Sequence, residues 1–152
     1  MKTVKLFNKL KKYPAGKTIF SILVSRAAPY FTSIKPRFVD LRVGYCEASM
    51  QDRKKVRNHI GTVHAIAMCN LAEVCGGLAV DASMPKHLRW IPKGMTVRYE
   101  KKAKGKLVGV CEFDPALIIP GDVIFPVIIK NPEGEQVFSA DITFFISEKK
   151  KS

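Results

Sequence analysis

The sequence predicts an α+β domain in which one antiparallel sheet curves around a single long helix. Three observations carry this prediction: a strand-like alternation at residues 39–45, an apolar helix at about 63–83, and a run of further strands after it. Because the helix is apolar nearly all round, packing on one side alone would leave apolar surface in water. A sheet wrapped around the helix is the simplest arrangement that buries it.

Composition favours one folded domain with an anionic partner. The 152 residues suffice for a single core, and 47% hydrophobic with 26% charged residues are ordinary globular values. The formal charge of +13 is not ordinary, and it favours a phosphate-bearing ligand, a nucleic acid or an acidic membrane surface. A solvated basic surface that only aids solubility is an equally open interpretation.

Cysteine usage and apolar runs bear on the compartment. The four cysteines form no C-x-x-C pair and lie in apolar runs, so we expect reduced thiols in a cytoplasmic protein. No apolar run is expected to reach the length of a membrane span. The apolar run at 18–25 is short for a secretory signal and is followed directly by Arg26, so we expect no signal peptide.

The remaining elements follow in order. Residues 3–12 predict a short basic amphipathic helix and residues 17–28 a second helix that stops before Pro29. A polar loop at 51–58 precedes the long helix, which Pro85 ends. Strands are then predicted at 88–91, at 95–99, at 107–113 pairing back on the preceding strand, and as a hairpin of 122–130 and 136–147. Pro126 predicts an edge position or a bulge.

The most informative segment runs from Asn58 to Ala65 and continues into a helix carrying Glu73. Between residues 63 and 80, His64 and Glu73 are the only ionisable side chains apart from two cysteines. A carboxylate buried among apolar side chains is costly unless it is paired, so we expect Glu73 to have a specific role.

This segment and the order of elements resemble the hotdog-fold thioesterases, in particular the phenylacetate-pathway type and an uncharacterised subgroup of acyl-CoA thioesterases. The motif is an Asn six residues before a His, a small residue after it, and Leu-Ala-acid ending nine residues after it, here Asn58, His64, Ala65 and Glu73. Ala65 stands where the family usually has Gly, and Glu73 where it often has Asp. The resemblance implies one hotdog domain over 1–152, with a helical extension at 1–36 and the core at 37–147.

The resemblance further implies hydrolysis of acyl thioesters, carried by coenzyme A or by acyl carrier protein, without cofactor or metal. It assigns catalysis to Glu73, Asn58 and Ala65. Contacts with the substrate are assigned to Gly61, His64 and Asn70.

Elementary chemistry agrees with part of this assignment. In the first turn of a helix the backbone N–H groups lack acceptors, so the Ala65 N–H is a candidate oxyanion donor and Glu73 a candidate base. The two residues lie about 12 Å apart along the helix axis. One chain therefore cannot easily bring both to one carbonyl, and we expect a homodimer, or a pair of dimers, with shared sites.

Structural interpretations stand beside each role. Glu73 could be a core carboxylate bound by Asn70, Asn58 could only brace its loop, and Thr62 could cap the helix and compete for the Ala65 N–H. His64 is more simply structural than catalytic, because nine residues place it opposite Glu73 on the helix. A metal site of His59, His64 and Glu73 lacks any established ligand spacing.

A non-catalytic function on the same fold is the alternative. The chain would then bind acyl-CoA without hydrolysis, or use its basic surface to dock on nucleic acid or an anionic membrane. Of these partners, nucleic acid is disfavoured and the membrane surface is expected to bind only weakly. A dehydratase is disfavoured because His64 and Glu73 point apart.

Overall fold

The computed structural model describes residues 2–149 as three α-helices and one six-stranded antiparallel sheet. The helices are α1 (Lys2–Leu10), α2 (Gly16–Ala27) and α3 (Ala65–Ser83). The strands are β1 (Arg37–Arg42), β2 (Tyr45–Met50), β3 (Leu88–Tyr99), β4 (Leu107–Glu112), β5 (Gly121–Lys130) and β6 (Gln136–Glu148). Short 3₁₀ turns lie at Pro29–Ser33, Lys54–Val56 and Pro115–Leu117.

The sheet order is β1-β2-β4-β5-β6-β3, and α3 packs across its concave face. Twelve of the nineteen residues of α3 are buried, and they belong to the same core cluster as the inward residues of the strands. The predicted α+β class, with a sheet curved around one long helix, is therefore confirmed. By length and composition alone α3 would also qualify as a membrane span, which corrects the expectation that no apolar run is long enough; here it is the core helix.

The N-terminal helices are fixed to the sheet by a chain of aromatic contacts. Phe7 of α1 meets Phe20 of α2 edge-to-face at 5.0 Å, and Phe20 meets Phe38 of β1 at 5.4 Å. The Phe38 N–H also donates to the Ser21 hydroxyl at 3.0 Å. All three rings are fully buried, so α1 and α2 share one core with the sheet.

Three strand predictions were wrong in detail. The single strand expected at 39–45 is a hairpin of β1 and β2, because Gly44 adopts a left-handed φ of 73° that turns the chain. The strands expected at 88–91 and 95–99 are one strand, β3, with an irregularity between Pro92 and Gly94. The strand expected at 107–113, which is β4, does not pair back on 95–99. It lies between β2 and β5, and β3 pairs with β6 instead.

Pro126 also departs from its prediction. It lies in β5, an interior strand, at a position with regular β6 pairing. The β4 partner, however, pairs only with Val127 to Lys130, so Pro126 stands just beyond the end of that ladder. A missing N–H is tolerated there because the β4–β5 ladder already ends at Val127.

Close approach of α3 to the sheet depends on glycine. A Cβ added at Gly76 would lie 2.9 Å from Ile142 Cδ1, 3.4 Å from Phe144 Cζ and 3.5 Å from Val127 Cγ2. We expect Gly76→Val to lower the free energy of unfolding by about 1–3 kcal/mol, because three side chains from two strands would have to move. Urea denaturation measures this.

The matched control is Gly94→Val on β3, where an added Cβ meets nothing within 4 Å. We expect a change within about 0.5 kcal/mol for an exposed position of this kind. Equal losses for the two variants would contradict the packing argument.

Candidate active site at the start of the central helix

The loop before α3 is held by the side chain of Asn58. Its Nδ2 donates to Thr62 Oγ1 at 2.9 Å, and its Oδ1 accepts the N–H groups of Ile60 at 3.2 Å and Thr62 at 3.1 Å. Gly61 closes the turn with a left-handed φ of 78°. Asn58 therefore braces this loop, and one of its two amide hydrogens is left to donate elsewhere.

The helix is capped by His64 rather than by Thr62. His64 has extended dihedral angles, and its Nδ1 accepts the Ile66 N–H at 3.1 Å. The alternative in which Thr62 caps the helix is therefore excluded, and its hydroxyl instead accepts the hydrogen bond from Asn58. The Thr62 hydroxyl therefore does not compete for the Ala65 N–H, and that N–H has no acceptor among residues 2–149.

Asn58 and Ala65 line one cleft of about 410 Å³, as the motif predicts. The cleft lies between the loop, the first turn of α3 and the end of β3 with the residues that follow it, which adds Tyr99, Glu100, Lys101 and Lys102 to its lining. Sequence reasoning missed these four residues, because only the pairing of β3 with β6 brings the end of β3 beside the start of α3. They bring two positive charges and one negative charge to the cleft.

Tyr99 is joined to α3 by Cys69. The Cys69 Sγ and the Tyr99 hydroxyl lie 3.5 Å apart, and this hydrogen bond, followed by desolvation, raises the pKa of Tyr99 above its ordinary value. The phenol is therefore protonated at neutral pH. Its hydroxyl, already bonded to Cys69, lies at the edge of the cleft.

His64 and Asn70 line a different cleft, of about 190 Å³, so the structure divides the predicted residues into two groups. Asn70 is buried, its Nδ2 donates to Ser33 Oγ at 2.9 Å, and its Oδ1 has no partner among the described residues. The interpretation in which Asn70 binds Glu73 is therefore wrong. Gly61 shapes the loop and lines neither cleft.

Glu73 is exposed, which corrects the expectation that it is buried. The sheet leaves one stripe of α3 uncovered, and Ile66, Cys69 and Glu73 follow it at spacings of three and four residues. Ile66 on this stripe is 54% exposed. Glu73 makes no hydrogen bond or ion pair with residues 2–149, and it lines neither cleft of its own chain.

Other chemistry finds less support within residues 2–149. Burial raises the pKa of the Cys46 thiol, and burial also raises the pKa of the Cys111 thiol, so neither is a ready nucleophile. No group of three or more His, Cys, Asp or Glu side chains there is placed to hold a metal ion.

The segment before α3 is tied to the connection between β3 and β4 by Asp52. Its carboxylate accepts Arg57 Nε at 2.6 Å and the Gly105 N–H at 3.1 Å. The hydrogen bond from Arg57, assisted by that from Gly105, lowers the pKa of Asp52. Because the Asp52 side chain is only 8% exposed, this pair is better shielded than an ordinary surface ion pair.

This carboxylate predicts an acid-dependent loss of stability. A lowered pKa in the folded state stabilises the fold above the unfolded-state value of about 3.9, and that contribution is lost as pH falls through the folded-state pKa. We expect Asp52→Asn to lower the free energy of unfolding by about 1–3 kcal/mol at pH 7. We expect this difference from wild type to shrink below about pH 4. Thermal unfolding from pH 7 to pH 2 measures both.

The control is Asp122→Asn, which removes a pair with Lys93 whose two side chains are about half exposed. We expect at most about 0.5 kcal/mol at pH 7 for this variant. If the free energies of unfolding of wild type and Asp52→Asn differed by the same amount across the whole pH range, the stabilising role of the Asp52 carboxylate would be contradicted.

Comparison with known proteins places the chain. The sequence model of DUF4442, described as a domain of unknown function, matches residues 16–146. No curated protein matches the chain. A structural-genomics crystal structure, APC5556, is 39% identical, with a TM-score of 0.87 over 98% of this chain and 100% of the other.

More distant solved structures share the fold. A protein of unknown function from Pseudomonas aeruginosa, PA5026, called a probable thioesterase, is 22% identical, with a TM-score of 0.77 over 84% of this chain and 92% of its own. The thioesterase HI1161 from Haemophilus influenzae is 13% identical, with a TM-score of 0.71 over 80% and 85%. These neighbours share the hotdog fold with this chain, which confirms the predicted resemblance. Because the family match spans most of the chain, the protein belongs to the DUF4442 family and has the hotdog fold.

Proposed function

We propose that this protein hydrolyses acyl thioesters. The observation that carries the proposal is the Ala65 N–H, which begins a 19-residue helix, has no acceptor among residues 2–149 and lines a cleft. A free N–H at the positive end of a helix dipole is suited to the oxyanion that forms when a thioester carbonyl is attacked. The thioesterases that share the fold support the same reaction class.

The proposed reaction uses groups described above. Glu73 takes a proton from water as the water oxygen bonds to the carbonyl carbon, and the Ala65 N–H binds the resulting oxyanion. Collapse of this intermediate breaks the carbon–sulfur bond, and the thiolate takes the proton from Glu73. Asn58, through its free amide hydrogen, is an additional donor at the edge of the cleft. The products are a free acid and a thiol.

Assembly follows from the position of Glu73. It is exposed on the uncovered stripe of α3 and stands about 12 Å along the axis from Ala65 of its own chain. β3 is an edge strand with mostly exposed residues. We propose that β3 pairs with β3 of a second copy, which would lay the two α3 stripes together and bring Glu73 of one subunit to the cleft of the other.

The substrate is most simply an acyl-CoA, because a polyanionic carrier suits a chain with a formal charge of +13. Acyl carrier protein is the other thioester carrier with the same acyl chemistry. Thiol release from a panel of acyl-CoA chain lengths and aryl-CoAs tests the proposal. Absence of both thiol release and binding across that panel would overturn it.

A second candidate function is reversible docking on anionic lipid. Residues 1–39 contain nine Lys and Arg residues and no Asp or Glu. On α2, Ile19, Ile22 and Leu23 are 45%, 47% and 40% exposed along one stripe. Ile22 shares a cleft of about 420 Å³ with Arg26 and two further cations, Lys35 and Arg37. Apolar side chains flanked by cations suit a lipid surface better than a nucleic acid backbone.

Co-sedimentation with vesicles tests this second candidate. We expect binding to vesicles that contain phosphatidylglycerol and loss of binding for Ile22→Ser combined with Leu23→Ser. The control pair is Ile119→Ser with Ile124→Ser, which removes comparable exposed apolar surface elsewhere. Equal binding by both pairs would count against docking through α2.

Ala65→Pro tests the oxyanion donor with little disturbance. Ala65 is the first residue of α3, where proline is tolerated, and His64 already has the extended dihedral angles favoured before proline. The substitution therefore removes one N–H and leaves the helix in place. We expect kcat to fall by about 10²–10³-fold with the melting temperature nearly unchanged. Near-normal turnover would exclude this N–H as the donor.

Glu73→Gln tests the base. The variant keeps the size of the side chain and its hydrogen-bonding capacity but cannot accept a proton, so kcat should fall by about 10²-fold or more while KM changes little. Glu133→Gln, in an exposed turn, is the matched control and should keep wild-type turnover. Wild-type turnover by Glu73→Gln would remove this residue from the mechanism.

Mixing the two inactive variants tests the shared site. In a dimer that joins Ala65→Pro with Glu73→Gln, one site receives the intact Ala65 of one subunit and the intact Glu73 of the other. Refolding equal amounts together should restore about a quarter of wild-type activity, since about half the dimers are mixed and each has one working site. Sedimentation should show twice the 17.0 kDa monomer mass. No recovery in a confirmed dimer would place both groups within one chain.

A further inference from the structure

A second basic cleft lies away from the candidate active site. It measures about 490 Å³ and is formed by the start of α1, the end of α3 and the start of β3. One acidic side chain, that of Asp81, lines it. Five basic residues line it as well, Lys2, Lys5, Lys86, Arg89 and Lys149, and Arg89 Nε also donates to Ser147 Oγ at 3.1 Å.

The local structure balances only part of this positive charge. Asp81 already accepts a hydrogen bond from the Thr3 hydroxyl, and Lys149 Nζ donates to the Lys86 carbonyl at 2.9 Å. The C-terminal end of α3 contributes about half a negative charge. None of the five cations forms an ion pair with another described residue. An excess of more than about three positive charges therefore faces this cleft, which suits a ligand with several negative charges.

The cleft also has a fixed aromatic wall. Trp90 lines it and is held edge-to-face against Phe144, with ring centroids 5.4 Å apart. Behind the indole, a Cβ on Gly77 would lie only 3.2 Å from Trp90 Cη2, so the ring packs closely on α3. Met84 and Leu88 add apolar lining. A planar heterocycle that carries phosphates would find both a stacking surface and counter-charges here.

The position on α3 relates this cleft to the proposed chemistry. Asp81 follows Glu73 by eight residues, which is about 80° of rotation and about 12 Å of rise. The cleft and Glu73 therefore lie towards the same side of the helix, two turns apart. The pantetheine arm of coenzyme A joins the nucleotide to the thioester sulfur, and it is long enough to cover that span.

We propose that this cleft binds the adenosine 3′,5′-bisphosphate part of coenzyme A. The proposal rests on the proposed thioester hydrolysis and selects coenzyme A over acyl carrier protein as the carrier. Lys86 and Arg89 bind phosphate oxygens, Trp90 contacts the adenine, and α1 supplies further cations through Lys2 and Lys5.

The intrinsic fluorescence of the protein reports on this site, because Trp90 is the only tryptophan in the chain. Titration of the full-length protein with adenosine 3′,5′-bisphosphate should give saturable quenching, and coenzyme A should compete. Inorganic phosphate should need at least about tenfold higher concentrations. If neither quenching nor calorimetric heat appears up to millimolar nucleotide, the proposal is overturned. Phosphate binding as tight as that of the nucleotide would reduce the cleft to a simple anion site and overturn it equally.

Variants assign the binding to these residues. Arg89→Ala and, separately, Lys86→Gln should weaken nucleotide binding by at least about tenfold, because each removes a charge-assisted contact from an exposed side chain. Lys106→Ala and Lys130→Ala remove exposed cations elsewhere that make no ion pair, and they should bind as wild type does. Equal affinity in all four variants would show that the nucleotide binds elsewhere.

A truncated substrate separates this proposal from the proposed function. An acyl-N-acetylcysteamine thioester has the reacting bond but no nucleotide. If the wild-type protein hydrolyses it but does not bind adenosine 3′,5′-bisphosphate, the reaction stands and the nucleotide site fails. If the nucleotide binds but neither the acyl-N-acetylcysteamine thioester nor acyl-CoA is hydrolysed, the nucleotide site stands and the proposed function fails.

Discussion

The burial of one apolar helix is the constraint on which the rest of this structure depends. α3 has twelve buried residues, each buried aliphatic side chain contributes about 1.5–3 kcal/mol, and no single flat surface could cover so many directions at once. The curved sheet supplies the cover, and Gly76 allows the close approach. Once the helix is enclosed, its first turn must emerge beside the loop braced by Asn58, and its one uncovered stripe must carry Glu73. The candidate site is thus a consequence of how the core is closed.

The fold was predictable from sequence to the extent that local periodicity determines it. The change from period two to a long apolar helix and back to period two indicated the class correctly. Strand pairing was not predictable in this way, because the β3–β6 and β2–β4 partners are chosen by the fit of whole faces around α3 rather than by neighbouring residues. The same limit explains the cap: Thr62 and His64 are both suitable acceptors locally, and the hydrogen bond from Asn58 to Thr62 decides between them.

Within the candidate site, too, the sequence predicted what a local motif determines and missed what long-range pairing determines. Asn58 and Ala65 are seven residues apart and share a cleft, so a local motif sufficed to associate them. Tyr99 joins them only through long-range pairing and left no signal in its own strand. The expected burial of Glu73 was wrong because its sequence neighbours are apolar, whereas its neighbours on the helix face, Ile66 and Cys69, lie on the stripe that the sheet leaves open. Composition along a segment does not reveal which face of a helix lacks a partner.

The exposure of Glu73 has a consequence for how such a site could be activated. A carboxylate in water costs the folding of the single chain nothing, whereas a carboxylate buried from the outset would have to be desolvated as the core forms. In the proposed dimer the desolvation takes place only when the second α3 stripe arrives. Association would then bring Glu73 and the Ala65 N–H of the partner together in one step. On this view the single chain folds as an inactive half-site, and the free energy of association, rather than that of folding, offsets the cost of the buried charge.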